Sequence, residues 1–575
     1  MLRARWLALG LVALAGCSGE GRRAAVPAGS MPAPGASTAA VRPGPDVTLS
    51  VLALNDLHGR VAALPVFGGY VNNVREARRR DGGGVIVLDA GDMFQGSLES
   101  NLTEGASVFA AYRALGMSAV TLGNHEFDFG PAGEGSGDGD PQGALKQRLT
   151  EASFPVLSVN LVTSGGAAPA WRGLSPGALV EVAGVKVGLV GALTVSAPEI
   201  VMPSFFSGLG VAPVAPLLTR QARALRSSGA KVVLAALHLG ADCERFDDPR
   251  DLSSCSADRE AFDVVEALPE RTLDGVVAGH THAGVAHFVK GVPVIEAYSR
   301  GRAFSRLDLL LDGTTHEIKR STVYPPHDLC PQFDQAECAA GEYEGRPVVP
   351  DAGVAAALLP ALELARVKRS QLLGPELEKA IPRDHGRESA LGNLFADLLL
   401  AAVDAADAAI LNGGGFRADL PPGPLTYGAL YEAMPFDNRV AKVRISGREL
   451  TRVLALHLSH DHHGIVSIAG LSLRARCREG HVDVELRRPD GRRVAPDEML
   501  TVATSDYLAT GGDRLFEAAR LSRDRIDPDL GLALRDAFAL ELARIEQLAP
   551  GTFFDPERPR LDLSSPRPLA CASPR

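Results

Sequence analysis

Side chains that can bind metal ions follow five separate apolar runs in the first half of the sequence. The candidate ligands are Asp56, His58, Asp92, His238, His280 and His282, with a seventh from the stretch Asn124-His125-Glu126-Phe127-Asp128. Two pairs, Asp56 with His58 and His280 with His282, occupy positions i and i+2, which face the same way in an extended segment. Imidazole, carboxylate and amide oxygen donors together suit Mn, Zn, Fe or Co better than Ca. Seven donors with one shared carboxylate predict a site for a pair of ions.

The apolar runs that carry these residues are short, rich in β-branched side chains and separated by longer amphipathic stretches, a pattern typical of α/β folds. In open α/β sheets, ligands bind beyond the carboxyl ends of the strands. Each candidate ligand stands at such an end, so we expect the set to meet at one edge of the predicted sheet. A single histidine after an apolar run is more often structural than a ligand, and the number and order of these residues favour a site.

Length and charge limit the number of domains and the kinds of binding partner that we expect. The chain has 575 residues, and single cores stop growing near roughly 250 to 300 residues, so we expect two substantial domains. The formal net charge of −10 and the pI near 5.8 provide no general attraction for polyanions, and nucleic acid is not an expected partner. Phosphate binding would have to come from local metals, arginines or backbone amides.

The first residues are typical of an export signal. Arg3 and Arg5 precede an apolar stretch that is too short to span a bilayer and ends in Leu-Ala-Gly-Cys. These residues resemble a bacterial lipobox, which predicts a signal over 1–17, lipidation of Cys17 and a membrane-anchored, exported protein. The alternative is an ordinary cleaved signal with an incidental cysteine. Residues 18–45, rich in Gly, Ala, Ser and Pro, predict a flexible tether.

Composition changes along the chain predict the domain boundaries. We expect a first domain over 46–325, a linker over 326–373 with a helix from about Asp351 to Leu372, and a second domain over 374–565. The segment 130–143, rich in Gly and Asp, predicts a solvated surface loop. The run of His457, His460, His462 and His463 suggests a third metal site, but we favour a solvated loop there.

Export permits disulfides. Cys243 with Cys255, and Cys330 with Cys338, are each close in sequence, which favours two small loop-stapling disulfides, although sequence leaves the connectivity open.

Taken in order, these motifs resemble the calcineurin-like metallophosphoesterases and, within them, the two-domain 5′-nucleotidases that include UDP-sugar hydrolases. The resemblance covers nearly the whole mature chain. It implies an N-terminal four-layer αββα sandwich and a C-terminal α/β nucleotide-binding domain, joined by a helical linker. By this resemblance one ion takes Asp56, His58, Asp92 and His282, and the other takes Asp92, Asn124, His238 and His280. The segment GNHEFD further implies that His125 and Asp128 form a catalytic pair, with Asp128 orienting the His125 ring.

The second domain carries the features that the resemblance links to nucleotides. The implied substrate-binding residues are Arg387, Asn412, Gly414, Arg417, Phe436, Tyr507 and Asp513. Phe436 and Tyr507 would sandwich a base, and Asp513 would bind the ribose. Stacking tolerates changes of base, so it implies a broad range of nucleotides or nucleotide sugars.

The resulting hypothesis is a phosphohydrolase with two divalent ions, Mn, Zn, Co or Mg, that activate a hydroxide for in-line attack on phosphorus. Phosphodiesters, cyclic nucleotides, UDP-sugar pyrophosphate bonds and sulfur esters remain alternative substrates. A surface lipoprotein that binds nucleotides without turnover is a further alternative, but it would not need both His125 and Asp128. The resemblance also suggests that substrate binds between the domains, and the oligomeric state stays open.

Overall fold

The structure is a computed structural model that describes residues 44–133, 139–257, 259–330, 340–460, 464–528, 532–545, 547–548, 550–569 and 571. The predicted signal, the lipidation site Cys17 and the tether up to residue 43 lie outside these ranges, as do Cys338, His462 and His463. Among the residues that are described, no helix is both long enough and apolar enough to cross a membrane.

Two mixed sheets face each other in the first domain. In spatial order, the strands of one are Ile318–Asp328, Ala303–Leu311, Val47–Leu54, Gly84–Asp89, Ala119–Thr121, Val156–Leu157 and Leu174–Ser175. Those of the other are Gly284–Val289, Val292–Ala297, Gly275–Val277, Val232–His238, Val185–Leu193 and Gly177–Val182. Leu49, Val51, Leu189 and Leu234 belong to the buried apolar layer between the sheets. These strands are apolar on both faces because both faces are covered.

Helices cover the outer face of each sheet. The helices of this domain are Leu64–Asp81, Leu98–Asn101, Ala106–Leu115, Gly143–Glu151, Ala197–Ile200, Val214–Ser227 and Glu260–Ala267. Phe67 and Phe109 belong to the core on the side of the first sheet, and Leu218 and Phe262 belong to the core on the side of the second. The expected αββα order of layers is therefore confirmed. A short pair, Leu161–Thr163 with Leu209–Val211, lies beside the sheets.

The connection between the domains contains the predicted helix. It spans Ala352–Arg369, and the Asp351 carboxylate accepts a hydrogen bond from the Val354 amide at 2.9 Å, which caps its first turn. A two-stranded ribbon, Glu342–Tyr343 with Arg346–Pro347, precedes it. The strand Ile318–Asp328 continues past the predicted boundary at 325, because its pairing with Ala303–Leu311 extends to Asp328.

The second domain is built on a five-stranded sheet flanked by two smaller ones. The five strands are Val466–Ala469, Ala408–Asn412, Met499–Ser505, Val440–Ser446 and Ile526–Asp527. The smaller sheets are Gly423–Thr426, Leu372–Leu377 and Gln547–Leu548, and His481–Arg487, Ser472–Arg478 and Leu561–Leu563. The helices are Ala390–Ala402, Tyr427–Ala433, Gly447–Ser459, Asp506–Ala509, Leu534–Leu542 and Pro550–Phe553. Phe395 stacks on Phe538 in the core.

Two disulfides join described cysteines. Cys243 bonds to Cys255, as predicted. Cys477, on the strand Ser472–Arg478, bonds to Cys571 near the C-terminus. The two cysteines are 94 positions apart, so their spacing did not predict this disulfide. Cys330 is also disulfide-bonded, and its predicted partner lies outside the described residues.

Two surface segments were predicted as loops. The segment 130–143 runs as a loop up to the helix that begins at Gly143, apart from residues 134–138, which are not described. The loop prediction is wrong at His457, because this residue lies on the helix Gly447–Ser459, where its Nε2 is 2.8 Å from Nη1 of Arg567 in the C-terminal segment.

Candidate active site

The seven predicted ligands meet where parallel strands of the two sheets end. Val47–Leu54, Gly84–Asp89 and Ala119–Thr121 run parallel in one sheet, and Val232–His238 and Gly275–Val277 run parallel in the other. Five ligand residues have a left-handed backbone, with φ of 49° at Asp56, 47° at His58, 57° at Asp92, 85° at His280 and 59° at His282. This conformation costs about 1 to 2 kcal/mol for a side chain with a Cβ atom. Such strain clusters at functional sites, where the surrounding structure maintains it.

Asp56, His58 and His282 form one group of converging donors, with ligand atoms within 4.8 Å of one another. Nε2 of His58 lies 2.9 Å from Nε2 of His282, and Nε2 of His282 lies 3.4 Å from Oδ1 of Asp56. Oδ1 of Asp56 is fully buried and has no hydrogen-bond partner among the described residues, whereas Oδ2 accepts bonds from the Asn55 side chain and the His280 amide. A buried, unpartnered carboxylate oxygen is costly unless a cation compensates it.

Asp92, Asn124, His238 and His280 form the second group. Nε2 of His238 is 3.2 Å from Oδ2 of Asp92, 3.1 Å from Oδ1 of Asn124 and 3.2 Å from Nδ1 of His280. Oδ2 of Asp92 also lies 4.0 Å from Nε2 of His58. The Asp92 carboxylate therefore stands between the two groups, in the position that a bridging ligand requires.

The histidine tautomers fit cation binding. Nδ1 of His58 lies 2.9 Å from the carbonyl oxygen of Gln95, and Nδ1 of His238 lies 2.9 Å from that of Ala90. A carbonyl oxygen only accepts, so each Nδ1 carries the proton and, in the neutral ring, each Nε2 presents a lone pair to the cluster. Metal-bound histidines commonly donate their second nitrogen in this way.

The electrostatics of the site favour positive charge beside Asp92. Burial, followed by the neighbouring His125, lowers the pKa of His58 to about 4, which keeps this ring neutral and able to coordinate. Burial also opposes the charged form of His238, but the carboxylates around it, Asp92 first, raise its pKa to about 10. The cluster thus attracts a positive charge at the His238 nitrogen, which a proton or a divalent cation can supply.

His125 and Asp128 lie at the rim of the cluster. Nδ1 of His125 is 2.5 Å from Oδ2 of Asp128, and its Nε2 points inward, 4.0 Å from Oδ2 of Asp92. Burial lowers the pKa of His125, but Asp128 and Asp92 outweigh it and raise this pKa to about 10. The ring is oriented by Asp128 and can donate a proton from Nε2.

Glu126, which lies within the same motif, was not predicted as a functional residue. Its Oε1 accepts hydrogen bonds from the Met93 and Phe94 amides, and its Oε2 accepts from the Asp92 and Gly123 amides. The buried carboxylate therefore ties the loop that carries Asp92 to the loop that carries Asn124 and His125. Its position in GNHEFD, between the predicted ligand Asn124 and the predicted catalytic residue Asp128, was the only signal in the sequence.

A cavity of about 200 Å³ opens beside His125 and Asp128 and reaches the second domain. Its lining residues are Gln95, His125, Asp128, Ile200, Met202, Arg417, Phe436, Asp437, Asn438 and Tyr507. Cζ of Arg417 lies 5.2 Å from the centre of the Phe436 ring. Burial, Arg300 and Arg383 together lower the pKa of Arg417, so three cationic side chains are gathered near this cavity. The cavity can thus accept an anion next to an aromatic group.

The other predicted substrate residues lie at different distances from this cavity. Asp513 accepts hydrogen bonds from the Tyr507 hydroxyl at 2.8 Å and from the Asn412 side chain at 2.7 Å, so both connect to the cavity through Tyr507. Gly414 lies next to Asn412. Arg387, in contrast, is 80% exposed, pairs with Asp384 and lines a separate cavity with the C-terminal segment.

Direct contacts join the two domains around the site. The Asn101 side chain donates to Oδ2 of Asp437 at 2.9 Å, and the Gln95 side chain donates to the Pro435 carbonyl at 3.4 Å. Farther away, Arg369 of the connecting helix pairs with Glu99 at 2.8 Å. The aromatic residues of the second domain are thereby held close to the predicted metal ligands of the first.

Comparison with known proteins adds sequence evidence. Residues 49–284 match the calcineurin-like phosphoesterase family, and residues 368–520 match the 5′-nucleotidase C-terminal domain. The chain belongs to the 5′-nucleotidase family of calcineurin-like phosphoesterases. It is therefore a metal-dependent phosphoric ester hydrolase of two α/β domains, and the predicted family is confirmed.

Relatives of this 5′-nucleotidase family member extend over most of its length. Protein UshA of Yersinia enterocolitica is 24% identical over 499 residues, covering 81% of this chain and 86% of UshA. Endonuclease YhcR of Bacillus subtilis is 25% identical over 500 residues, and this match covers 81% of the chain but only 37% of YhcR. A 5′-nucleotidase precursor from Thermus thermophilus has the same fold, with a TM-score of 0.63 and 23% identity over 90% of this chain and 100% of that one.

Proposed function

We propose that the chain holds two divalent metal ions and removes phosphate from nucleotides. The observation that carries this proposal is a single cavity that brings His125 and Asp128 together with Phe436 and Tyr507. Hydrolysis of phosphate esters in general requires only the metal ligands and His125. The aromatic residues and Arg417 add features that suit a base and an anionic group.

The proposed ligands are those expected from the sequence, with Asp92 shared between the ions. Two divalent cations held there would supply positive charge to the phosphoryl oxygens and lower the pKa of water. Water attacks phosphorus and loses one proton to solvent, the bond from phosphorus to the nucleoside oxygen breaks, and Nε2 of His125 gives its proton to that leaving oxygen. Asp128 holds the His125 ring in the orientation that this transfer needs, and no covalent enzyme intermediate forms.

Support for nucleotides over other esters comes from the second domain. A base between Phe436 and Tyr507 would place its ribose near Asp513, whose carboxylate the Tyr507 hydroxyl and Asn412 already position. A relative named UshA and a relative named as an endonuclease leave the size of the leaving group open. The test must therefore compare monophosphates, nucleotide sugars, cyclic nucleotides and an oligonucleotide.

The experiment measures hydrolysis by residues 46–575, stripped of metal and resupplied with Mn²⁺ or Zn²⁺, with released phosphate assayed for AMP and the products of every substrate separated by chromatography. The substrates are AMP, UDP-glucose, a 2′,3′-cyclic nucleotide, a nitrophenyl phosphodiester, a sulfur ester and a short single-stranded DNA. We expect metal-dependent hydrolysis of AMP, which Asp92→Asn abolishes because the shared carboxylate is lost. Turnover of the sulfur ester or the DNA alone would overturn the proposed substrate class, and binding of AMP without turnover would favour the non-catalytic alternative.

We also propose that the protein is exported and anchored through a lipid on Cys17. The disulfides Cys243–Cys255 and Cys477–Cys571 support an oxidising compartment. In a bacterial host, the full chain should partition into the detergent phase of a phase-separation assay, and Cys17→Ser should move it to the aqueous phase. Aqueous partitioning of the unaltered chain would contradict the anchor.

A further inference from the structure

Two of the metal-ligand loops pack directly against each other. The loop after His238 contains Gly240, and the loop that carries His280 and His282 has Thr281 between the two histidines. The Gly279 amide donates to the Leu239 carbonyl at 3.2 Å. A Cβ atom on Gly240 would lie 2.3 Å from the Thr281 side chain, so only glycine allows this approach.

A buried glutamate contacts both of these loops. Glu296, on the strand Val292–Ala297, has no exposed surface. Its Oε1 lies 2.8 Å from Oγ1 of Thr281, and its Oε2 accepts a hydrogen bond from the Ala241 amide at 3.3 Å. One carboxyl group thus contacts the loop that follows His238 and the loop that holds the histidine pair.

The proton count at Thr281 identifies the state of this carboxyl group. Oγ1 of Thr281 is 2.8 Å from the Ala241 carbonyl oxygen and 2.8 Å from Oε1 of Glu296. A hydroxyl has a single proton and the carbonyl oxygen can only accept, so both contacts are hydrogen bonds only when the Thr281 proton goes to Ala241. The contact with Oε1 is then a hydrogen bond only if Glu296 donates. Burial, followed by the Asp56 carboxylate, raises the pKa of Glu296 well above its usual range, in agreement with this count.

We propose that Glu296 is a positioning residue that, as a neutral carboxylic acid, locks the loops of His238 and of His280 and His282 in the geometry that binds metal. Among the described residues no hydrogen bond joins it to a proposed ligand, and it acts through Thr281 and the Ala241 and Ala283 backbone. A neutral donor adds no further negative charge beneath Asp56, and it avoids the cost of a buried anion. The inference rests on the proposed function, because it assumes that these histidines bind ions.

The substitutions Glu296→Gln and Glu296→Ala separate this role from a general structural one. An amide can donate from its nitrogen to Thr281 and accept at its oxygen from Ala241, so it reproduces the neutral acid. Glu296→Gln should keep metal affinity within about threefold of that of the unaltered protein. Glu296→Ala should lower the affinity for one of the two ions by about 10- to 100-fold. Asp274→Asn is the matched control, since Asp274 accepts from the Val233 amide near the opposite end of the strand Val232–His238.

The measurement is Co²⁺ binding to the metal-stripped chain, by competition with a chelating dye and by the visible spectrum of the bound ion. If both Glu296 variants bind as weakly as each other, the neutral-acid role is wrong, and if both bind like the unaltered protein, the positioning role is wrong. Should Glu296→Ala fail to fold, Thr281→Val against Thr281→Ser gives the same test, because only serine keeps the hydroxyl. Failure of the unaltered protein to bind Co²⁺ would overturn the proposed function itself, whether or not the Glu296 variants differ.

Discussion

Removal of the aromatic side chains at the cavity should weaken hydrolysis of nucleotides without affecting the metal-dependent chemistry. Phe436 and Tyr507 line the same cavity as His125, and neither has a hydrogen bond or ion pair to a predicted metal ligand among the contacts of the described residues. Stacking of a base on an aromatic ring contributes about 1 to 3 kcal/mol. Since 1.4 kcal/mol is a factor of ten, each alanine substitution should lower kcat/KM for AMP by about 5- to 140-fold.

The structure predicts a difference between the two positions. The Arg417 guanidinium lies over the Phe436 ring at 5.2 Å, so Phe436→Ala also removes the surface that supports this cation and should have the larger effect. Tyr507→Phe keeps the ring and loses only the hydroxyl bond to Asp513, so it is the matched control for loss of stacking.

The assay compares kcat/KM for AMP with kcat/KM for glycerol phosphate, a monoester that has no base. We expect both alanine variants to lose activity on AMP and Tyr507→Ala to retain it on glycerol phosphate within about twofold, since only binding energy to the base is removed. Phe436→Ala should lose less activity on glycerol phosphate than on AMP, because the weakened support of Arg417 affects both substrates. Equal losses on both substrates would refute the assignment of Phe436 and Tyr507 to base binding. So would unchanged activity on AMP.

Three further predictions concern the catalytic pair, the C-terminal disulfide and a surface ion pair. Asp128→Asn should lower kcat for AMP by about 10²- to 10³-fold with little change in KM, because His125 loses its orienting carboxylate. A change in KM alone, measured by steady-state kinetics, would contradict this role. Cys571→Ser should lower the free energy of unfolding by about 2 to 5 kcal/mol in denaturant titrations, with equal midpoints contradicting a structural role. The Arg525 hydrogen bond, partly opposed by burial, lowers the pKa of Glu449 to about 2. This ion pair contributes about 1 kcal/mol after screening. The contribution is complete above the unfolded pKa near 4.3 and is lost as pH falls towards 2. The difference in unfolding free energy between Glu449→Gln and the unaltered protein should therefore shrink over that range, and a constant difference would contradict the prediction.

The gathering of the seven candidate ligands could be predicted because each follows an apolar run and the carboxyl ends of parallel strands meet at one edge. The extended geometry expected of Asp56 with His58 is wrong, because the strand ends at Leu54 and both residues have a left-handed backbone. The left-handed backbone at these residues could not be predicted, since tertiary contacts such as the Asp56 amide to the Gly91 carbonyl impose it. Nor could the role of Glu126 or Glu296, because each also holds a loop that is distant from it in sequence, at Asp92 for Glu126 and at Ala241 for Glu296.

The second domain was harder to predict in detail. Resemblance placed Arg387 with the substrate, but the Asp384 side chain accepts from the Arg387 amide and pairs with its guanidinium, which directs it to another cavity. Arg383 in the same segment was not predicted as a site residue. Its guanidinium donates a hydrogen bond to the Phe416 carbonyl, and its charge helps to lower the pKa of Arg417. The orientation of this segment depends on contacts between elements far apart in sequence, which no local pattern records.

The most direct test of the proposed dinuclear site is a titration of the metal-stripped chain with Mn²⁺, with the initial rate of phosphate release from AMP measured at each addition. Because Asp92 is placed between two groups of ligands, the account predicts that activity rises until two equivalents of Mn²⁺ per chain are bound and is then constant. Saturation at one equivalent, or hydrolysis of AMP in the metal-stripped chain, would contradict it.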